Sequence, residues 1–305
     1  MTRPVVLIAD PLPPSAPVLL GSEFEVRHCD GTDRAALLDA VAGAAALVVR
    51  SGTTVDAEVF AHAPGLRVVA RAGVGLDNVD LAAARLAGVL VRNAPASNVV
   101  SVAELTVGLI LSANRRIAAA DASVRAGRWE RSAFQGEELA GRTVGIVGLG
   151  RVGTLVARRL AAFEMRVLAH DPQATAAAAD HAGAELVELD ALLANSDVLT
   201  VHVPKTAGTV GLIGARELAL LRPGAYLVNT SRGGVVDERA LAGALASGRL
   251  AGAALDVFET EPATGSPLLG LAGVTVTPHL GASTRQAQER AGAEAVRAVR
   301  EVLLD

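Results

Sequence analysis

The chain has 305 residues and a net charge of −4, with 51% hydrophobic and only 2% aromatic residues. Two domains are expected at this length, their cores built from Ala, Val and Leu, as in helices on buried parallel strands rather than a β-sandwich. The acidic balance gives no electrostatic basis for binding nucleic acid or an anionic membrane, and a sole cysteine, Cys29, excludes an internal disulfide, so a cytoplasmic location is expected.

The opening strand is interrupted by Asp10 and prolines too soon for a signal peptide. Apolar runs near Val5 to Ala9, Glu23 to Arg27, Ala46 to Val49, Leu66 to Ala70 and Val89 to Arg92 alternate with stretches of helical period. That alternation predicts a first doubly wound parallel unit. A long helix follows over Ser97 to Arg115, where Ser101 and Glu104 have the spacing of a capping box. Its apolar part, Val99 to Ala113, carries Glu104 and falls short of the ~20 residues of a bilayer span. A second series of strands falls near Thr143 to Val147, Arg166 to His170, Val198 to Val201, Ala225 to Asn229, Gly252 to Asp256 and Val274 to Thr277, enough for a dinucleotide-binding sheet. Ala174 to Ala179 reads as helix, and Ala291, Ala295, Val299 and Leu303 form one apolar stripe on a final helix that is expected to return to the first domain. No tandem repeat or coiled coil is present.

Gly148, Gly150 and Gly153 stand in a G-x-G-x-x-G pattern that ends one strand and opens a helix, and Asp171 closes the next strand 18 residues later. Gly148 makes the tight turn, Gly150 admits the pyrophosphate, Gly153 lets helix and strand pack, and the helix N-terminus attracts the phosphates. Asp171 would accept ribose hydroxyls and repel a 2′-phosphate, so the cofactor expected is NAD. A turn without a cofactor and a flavin site are the alternatives; the mid-chain position of the fingerprint disfavours flavin.

Ligands of open α/β sheets bind beyond the carboxyl ends of strands, where Arg232, Glu261 and His279 fall. Oxidising an alcohol by hydride loss requires a base for the hydroxyl proton, and histidine titrates near neutrality, so His279 is the expected proton carrier. Glu261 would hold one tautomer of it, and Arg232 would grip a substrate carboxylate in bidentate fashion. His202 also follows a strand but is read as a structural or cofactor-loop residue, while His28, His62, His170 and His181 are expected to be solvated.

The segments Asn229-Thr-Ser-Arg232-Gly-Gly, Leu255-Asp-Val-Phe-Glu-Thr-Glu261-Pro and Pro278-His279-Leu-Gly-Ala-Ser-Thr284 resemble the signatures of the D-isomer-specific 2-hydroxyacid dehydrogenases. With Arg71-Ala-Gly-Val-Gly-Leu-Asp-Asn-Val-Asp80 and Trp129-Glu-Arg131, the likeness spans nearly the whole chain and is strongest to family members acting on 3-phosphoglycerate. The resemblance implies an α/β fold of two doubly wound parallel-sheet domains. These are a flavodoxin-like substrate domain over residues 1–96 and 282–305 and a Rossmann NAD domain over 97–281.

The resemblance also implies NAD contacts from Arg151, Val152, Pro204, Thr230, Asp256 and His279 beside the fingerprint residues, and no metal. Arg232, Arg50, Ser51, Arg71, Gly73, Val74, Gly75, Asn98 and Arg131 are the implied substrate residues, with the glycine-rich turn at 73–75 as an anion nest. Lys205 is the sole lysine, so arginines must meet most of a substrate phosphate's charge. Trp129 reads either as a buried anchor or as part of the segment through which the family dimerises, with Arg131 then reaching a partner subunit; a homodimer is expected.

The expected reaction converts 3-phosphoglycerate to 3-phosphohydroxypyruvate, the first step of serine biosynthesis, in a short form without the serine-sensing domains common in this branch. An unphosphorylated acid such as glyoxylate, hydroxypyruvate or lactate, and a non-enzymatic NAD-responsive role of the corepressor kind, are the alternatives. Glu164 follows Phe163 where relatives usually carry Gly, a departure at the turn between helix and strand.

Overall fold

The computed structural model describes residues 3–304. Residues up to Asn98 together with those from Ala282 onward form one compact unit, and Val99–Gly281 form the other.

The first unit begins β1 (Val5–Ile8), α1 (Ser15–Leu20), β2 (Glu25–His28), α2 (Arg34–Val41), β3 (Ala46–Val49), α3 (Ala57–His62), β4 (Val68–Arg71), α4 (Leu81–Leu86) and β5 (Leu90–Asn93). The second contains α5 (Val99–Arg115), α6 (Ile117–Arg125), β6 (Thr143–Val147), α7 (Arg151–Ala161), β7 (Arg166–His170), α8 (Ala176–Ala182), β8 (Glu185–Leu186), α9 (Leu189–Asn195), β9 (Val198–Val201), α10 (Ala215–Leu220), β10 (Ala225–Asn229), α11 (Glu238–Ala246), β11 (Leu250–Leu255) and β12 (Val274–Val276). The chain ends in α12 (Arg285–Leu304), which belongs to the first unit.

Both sheets are parallel, so the chain is α/β. The first sheet has the order β2-β1-β3-β4-β5, with Val6 opposite Ala46 and Ala46 opposite Val68. Its central strand β3 is buried at every position because helices cover both faces, which is why it reads as an unbroken apolar run. Asp33, Asp56 and Asp80 each accept a backbone N–H at the start of α2, α3 and α4, which defines where these helices begin. On α12 the small residues Ala291, Ala295 and Val299 are buried against Val6, Ile8, Val48 and Val68 of one core, while Leu7, Leu47 and Val69 point into the core on the other face.

The second sheet runs β12-β11-β10-β9-β6-β7-β8, and the chain reverses direction across it between β6 and β9. The carboxyl ends of those two strands are therefore the topological switch point where ligands of such sheets bind. Sequence periodicity missed β8: two residues long, paired only to β7 at the sheet edge, it carries no apolar run. Elsewhere β2 and β4 start two residues later than their apolar runs, and β11 starts two residues earlier, at Leu250.

The capping box expected at Ser101 and Glu104 does not form. The helix is already under way at Val99, so Ser101 lies inside the first turn of α5 and is buried rather than standing at the cap.

The departure at Glu164 has a clear backbone consequence. Glu164 adopts φ 61°, its N–H donates to the Ala161 carbonyl and its own carbonyl accepts from Gly141, so the left-handed turn forms without glycine. A side chain there costs about 1 kcal/mol relative to Gly. Glu164→Gly is expected to stabilise the fold by about that amount in chemical denaturation, with an unchanged denaturant slope.

Candidate active site

The fingerprint loop joins β6 to α7. Gly148 stands at φ 95°, and a Cβ there would lie 2.6 Å from the His202 carbonyl oxygen; a Cβ on Gly153 would lie 2.1 Å from the Gly148 oxygen. Both glycines are thus required by backbone packing. Gly150 differs: its φ is ordinary at −73° and a Cβ would meet nothing within 4 Å, so open space lies above it at the cap of α7. A close-packed turn, an uncrowded glycine and a helix N-terminus of eleven residues' length fit a pyrophosphate. Arg151 and Val152 follow as the first residues of α7, with Arg151 exposed and Val152 half-buried.

Asp171 closes β7, accepting from the Leu149 amide of the fingerprint loop and from the Gln173 amide, 2.8 Å each. It lines a concave pocket with His170, Pro172, Leu186, Val187 and Glu188. His170, expected to be solvated, is half-buried here and bonds the Val187 carbonyl through Nδ1 at 3.1 Å, because the unforeseen β8 packs beside it. His28, His62 and His181 are exposed.

At the other side of the switch point, β10 ends in a turn built by Asn229. Its side-chain oxygen accepts from the Ser231 amide and hydroxyl, and its amide group donates to the Arg232 carbonyl at 3.0 Å. Arg232 is half-buried and donates to the Ser231 carbonyl. Thr230, implied as a cofactor contact, is 5% exposed and its hydroxyl lies 2.7 Å from that of Thr106, which ties the end of β10 to α5.

His279 and Glu261 meet directly: Nδ1 lies 2.7 Å from Oε2, with both side chains partly exposed. A carboxylate oxygen can only accept, so Nδ1 carries the proton and Nε2 is left for other partners. Glu261 is itself fixed, accepting from the Phe258 amide through its other oxygen at 3.1 Å. His279 adopts φ 54°, held by its N–H between the carbonyls of Asp256 and Thr277. Asp256, which the family resemblance implied as an NAD contact, is fully buried. Its oxygens accept from the Thr277 hydroxyl (2.6 Å) and from the amides of Leu280 (2.7 Å) and Gly281 (2.8 Å). Its carboxylate thus shapes the loop that presents His279, a role no local sequence signal marks.

His202 makes a different kind of site. Its Nε2 lies 3.0 Å from the Thr200 hydroxyl, and desolvation pushes the imidazole down to about 3. It therefore stays neutral through the range in which a proton carrier must exchange, which disfavours it as a proton carrier. The native state resists a proton that the unfolded chain accepts below about pH 6.5, so this contribution to stability is present above pH 6.5 and lost as pH falls towards about 3. His202→Gln is expected to flatten the acid limb of stability by at most about 1.4 kcal/mol per pH unit in urea titrations at stepped pH. Pro204, two residues on, is exposed, and its carbonyl accepts from Thr209.

In the first unit, Arg50, Ser51, Arg71 and the 73–75 turn lie at the carboxyl ends of β3 and β4. Asp10 anchors this edge, accepting from the Arg50 amide at 2.6 Å and the Thr53 amide at 3.3 Å. Asn78 donates to the carbonyls of Arg50 and Thr53. Of the expected nest, the Gly73 amide is already used, donating to the Arg71 carbonyl at 2.8 Å. Asn93 holds the Val74 carbonyl, and Asn98 is half-buried at the end of this unit. Arg131 opens a single 3-10 turn (Arg131–Phe134) and is exposed; Trp129 is 83% exposed and is no buried anchor. No helix among the described residues is long and apolar enough to cross a membrane.

A fingerprint loop and a histidine–carboxylate pair at the carboxyl edge of one doubly wound sheet define a dinucleotide-binding architecture. Residues 107–281 match the D-isomer specific 2-hydroxyacid dehydrogenase, NAD binding domain, and the chain belongs to that family. It is 58% identical over 300 residues to a D-3-phosphoglycerate dehydrogenase of Mycobacterium tuberculosis, covering 98% of this chain and 57% of that one, so it spans a little over half of that relative's length. A hydroxypyruvate reductase of Thermotoga maritima is 41% identical over 97% of both chains. The solved D-lactate dehydrogenase of Aquifex aeolicus, complexed with NAD and lactic acid, superposes with a TM-score of 0.85 at 30% identity, covering 97% of this chain and 94% of that one.

Proposed function

We propose that the protein is an NAD-dependent dehydrogenase of D-2-hydroxy acids, converting 3-phosphoglycerate to 3-phosphohydroxypyruvate as the first step of serine biosynthesis. The observation that carries the reading is the 2.7 Å contact of His279 with Glu261 at the carboxyl edge of the sheet that bears the Gly148-to-Gly153 loop. The 58% identity to a D-3-phosphoglycerate dehydrogenase supports the phosphorylated substrate.

Bound NAD would lie on the Gly148, Gly150 and Gly153 loop with its ribose at Asp171, and it supplies the acceptor for the hydride that leaves C2. His279 takes the hydroxyl proton through Nε2, since Nδ1 is committed to Glu261, and Glu261 stabilises the imidazolium that results. Arg232 pairs with the substrate carboxylate, a planar match for its guanidinium. In the reverse direction His279 returns the proton to the carbonyl oxygen. Thr230 and Asp256 enter this reading as supports of the Arg232 turn and the His279 loop. Arg50, Ser51, Arg71, the 73–75 turn, Asn98 and Arg131 are the proposed substrate residues, with arginines meeting the phosphate. The exposed Ile117, Val124 and Trp129 support a homodimer, and the sole cysteine supports a cytoplasmic location as part of the same proposal.

The test follows NADH absorbance at alkaline pH with NAD and 3-phosphoglycerate, D-glycerate or D-lactate, and the reverse reaction with the matching oxo acids. Selective turnover of the phosphorylated acid is expected. Turnover of unphosphorylated acids alone would overturn the substrate and favour a second reading, to which the hydroxypyruvate reductase likeness over 97% of both chains points. No turnover with any acid, despite NAD binding, would sink both.

A further inference from the structure

We propose that Glu238 is a positioning residue for the Glu261–His279 pair, acting through the loop between β11 and β12; the inference rests on reading that pair as the proton carrier and its partner. Glu238 is the first residue of α11, and the work of capping that helix is done by Asp237, whose side chain accepts from the amides of Arg239 and Ala240. The Glu238 carboxylate is turned elsewhere. Only 5% of the residue is exposed, and no cation pairs with it among the described residues. A carboxylate so buried is costly unless hydrogen bonds replace its water.

Those bonds go to the loop that carries Glu261. One Glu238 oxygen accepts from the Glu259 amide at 2.6 Å and the other from the Ser266 hydroxyl. Glu259 replies in kind, its carboxylate accepting from the Glu238 amide at 3.4 Å. The two tied residues lie on either side of Glu261 in a stretch that has neither helix nor strand, so no backbone ladder can fix where Glu261 stands. Close packing completes the clamp: a Cβ on Gly233 would fall 1.7 Å from the Phe258 oxygen, and the Phe258 amide bonds Glu261. Glu238 touches no reacting atom; it sets the position of the carboxylate that orients His279, where a loop displaced by an ångström breaks a 2.7 Å contact.

The experiment uses the whole chain labelled with 15N-histidine. Two-bond proton–nitrogen correlations show which ring nitrogen of His279 carries the proton, and Glu261→Ala defines the signature of the lost contact. Glu238→Ala is expected to move the His279 signature towards that of Glu261→Ala and to lower kcat about tenfold. KM for NAD should stay within about twofold, because the fingerprint loop is untouched. Glu238→Gln should restore most of both, since its amide oxygen can accept from Glu259 and its amide nitrogen can donate to the Ser266 oxygen. A His279 signature in Glu238→Ala identical to wild type, even with a lower melting temperature, would overturn the proposal and leave Glu238 a stability residue. Should that variant fail to fold, Glu238→Asp, one methylene too short to hold both partners, is read in the same two ways. The spectra need no substrate, so an enzyme that turns over none of the acids would defeat the proposed function while the signature still decides the role of Glu238.

Discussion

His279→Ala is expected to lower turnover at least ~100-fold in both directions while leaving the NAD dissociation constant within about threefold. The size follows from what the side chain does alone. Among the described residues it is the one imidazole whose Nδ1 is engaged by a carboxylate, at 2.7 Å, which leaves Nε2 for a substrate hydroxyl. Water is the only replacement, and it lacks the fixed orientation that the Glu261 contact gives the ring. The loop should survive the change because its shape comes from Asp256, which holds the amides of Leu280 and Gly281, and from the His279 amide rather than its ring. Stopped-flow hydride transfer and NAD titration by fluorescence check the two halves separately. A rate within tenfold of wild type would remove His279 from proton transfer and reopen the assignment.

Gly153→Ala is expected to destabilise the fold by about 2 kcal/mol and to weaken NAD binding roughly 30-fold, another 2 kcal/mol or so. A methyl at this position would sit 2.1 Å from the Gly148 oxygen and 3.4 Å from Ile146 Cγ2, so α7 must lift off β6 and carry its N-terminus away from the phosphates. Gly150→Ala is the informative companion. Nothing lies within 4 Å of a Cβ there, so the melting temperature should match wild type while NAD affinity falls. Equal NAD affinity in wild type and Gly150→Ala would place the cofactor elsewhere. Loss of stability in Gly150→Ala would mean instead that the loop, not the ligand, needs that glycine.

Much of the fold could be read from pattern because its strands are short, apolar and buried on both faces. β3, β6, β7, β9 and β10 begin and end where their apolar runs do. Edge elements were harder. β8 has two residues and one partner strand, so too little burial shapes its sequence. The capping box at Ser101 and Glu104 shows the opposite failure: a spacing of the right type inside a helix that had already begun. Local spacing does not say which residue is first to adopt helical angles.

The amino-acid order by itself determined the two parallel-sheet units, the glycine fingerprint with its acidic partner at Asp171, and the polar residues that close β10, β11 and β12, because each is a local pattern imposed by backbone geometry or by strand period. Only the tertiary structure decided the rest. It spent the Asp256 carboxylate on amides 24 and 25 residues away and drew Thr230 back to Thr106, and it gave the Glu261–His279 pairing expected from the sequence its 2.7 Å geometry. It also turned the Glu238 side chain from the start of its helix into the loop around Glu261. These partners are chosen by which loops the sheet order sets side by side, and no spacing along the chain encodes that adjacency.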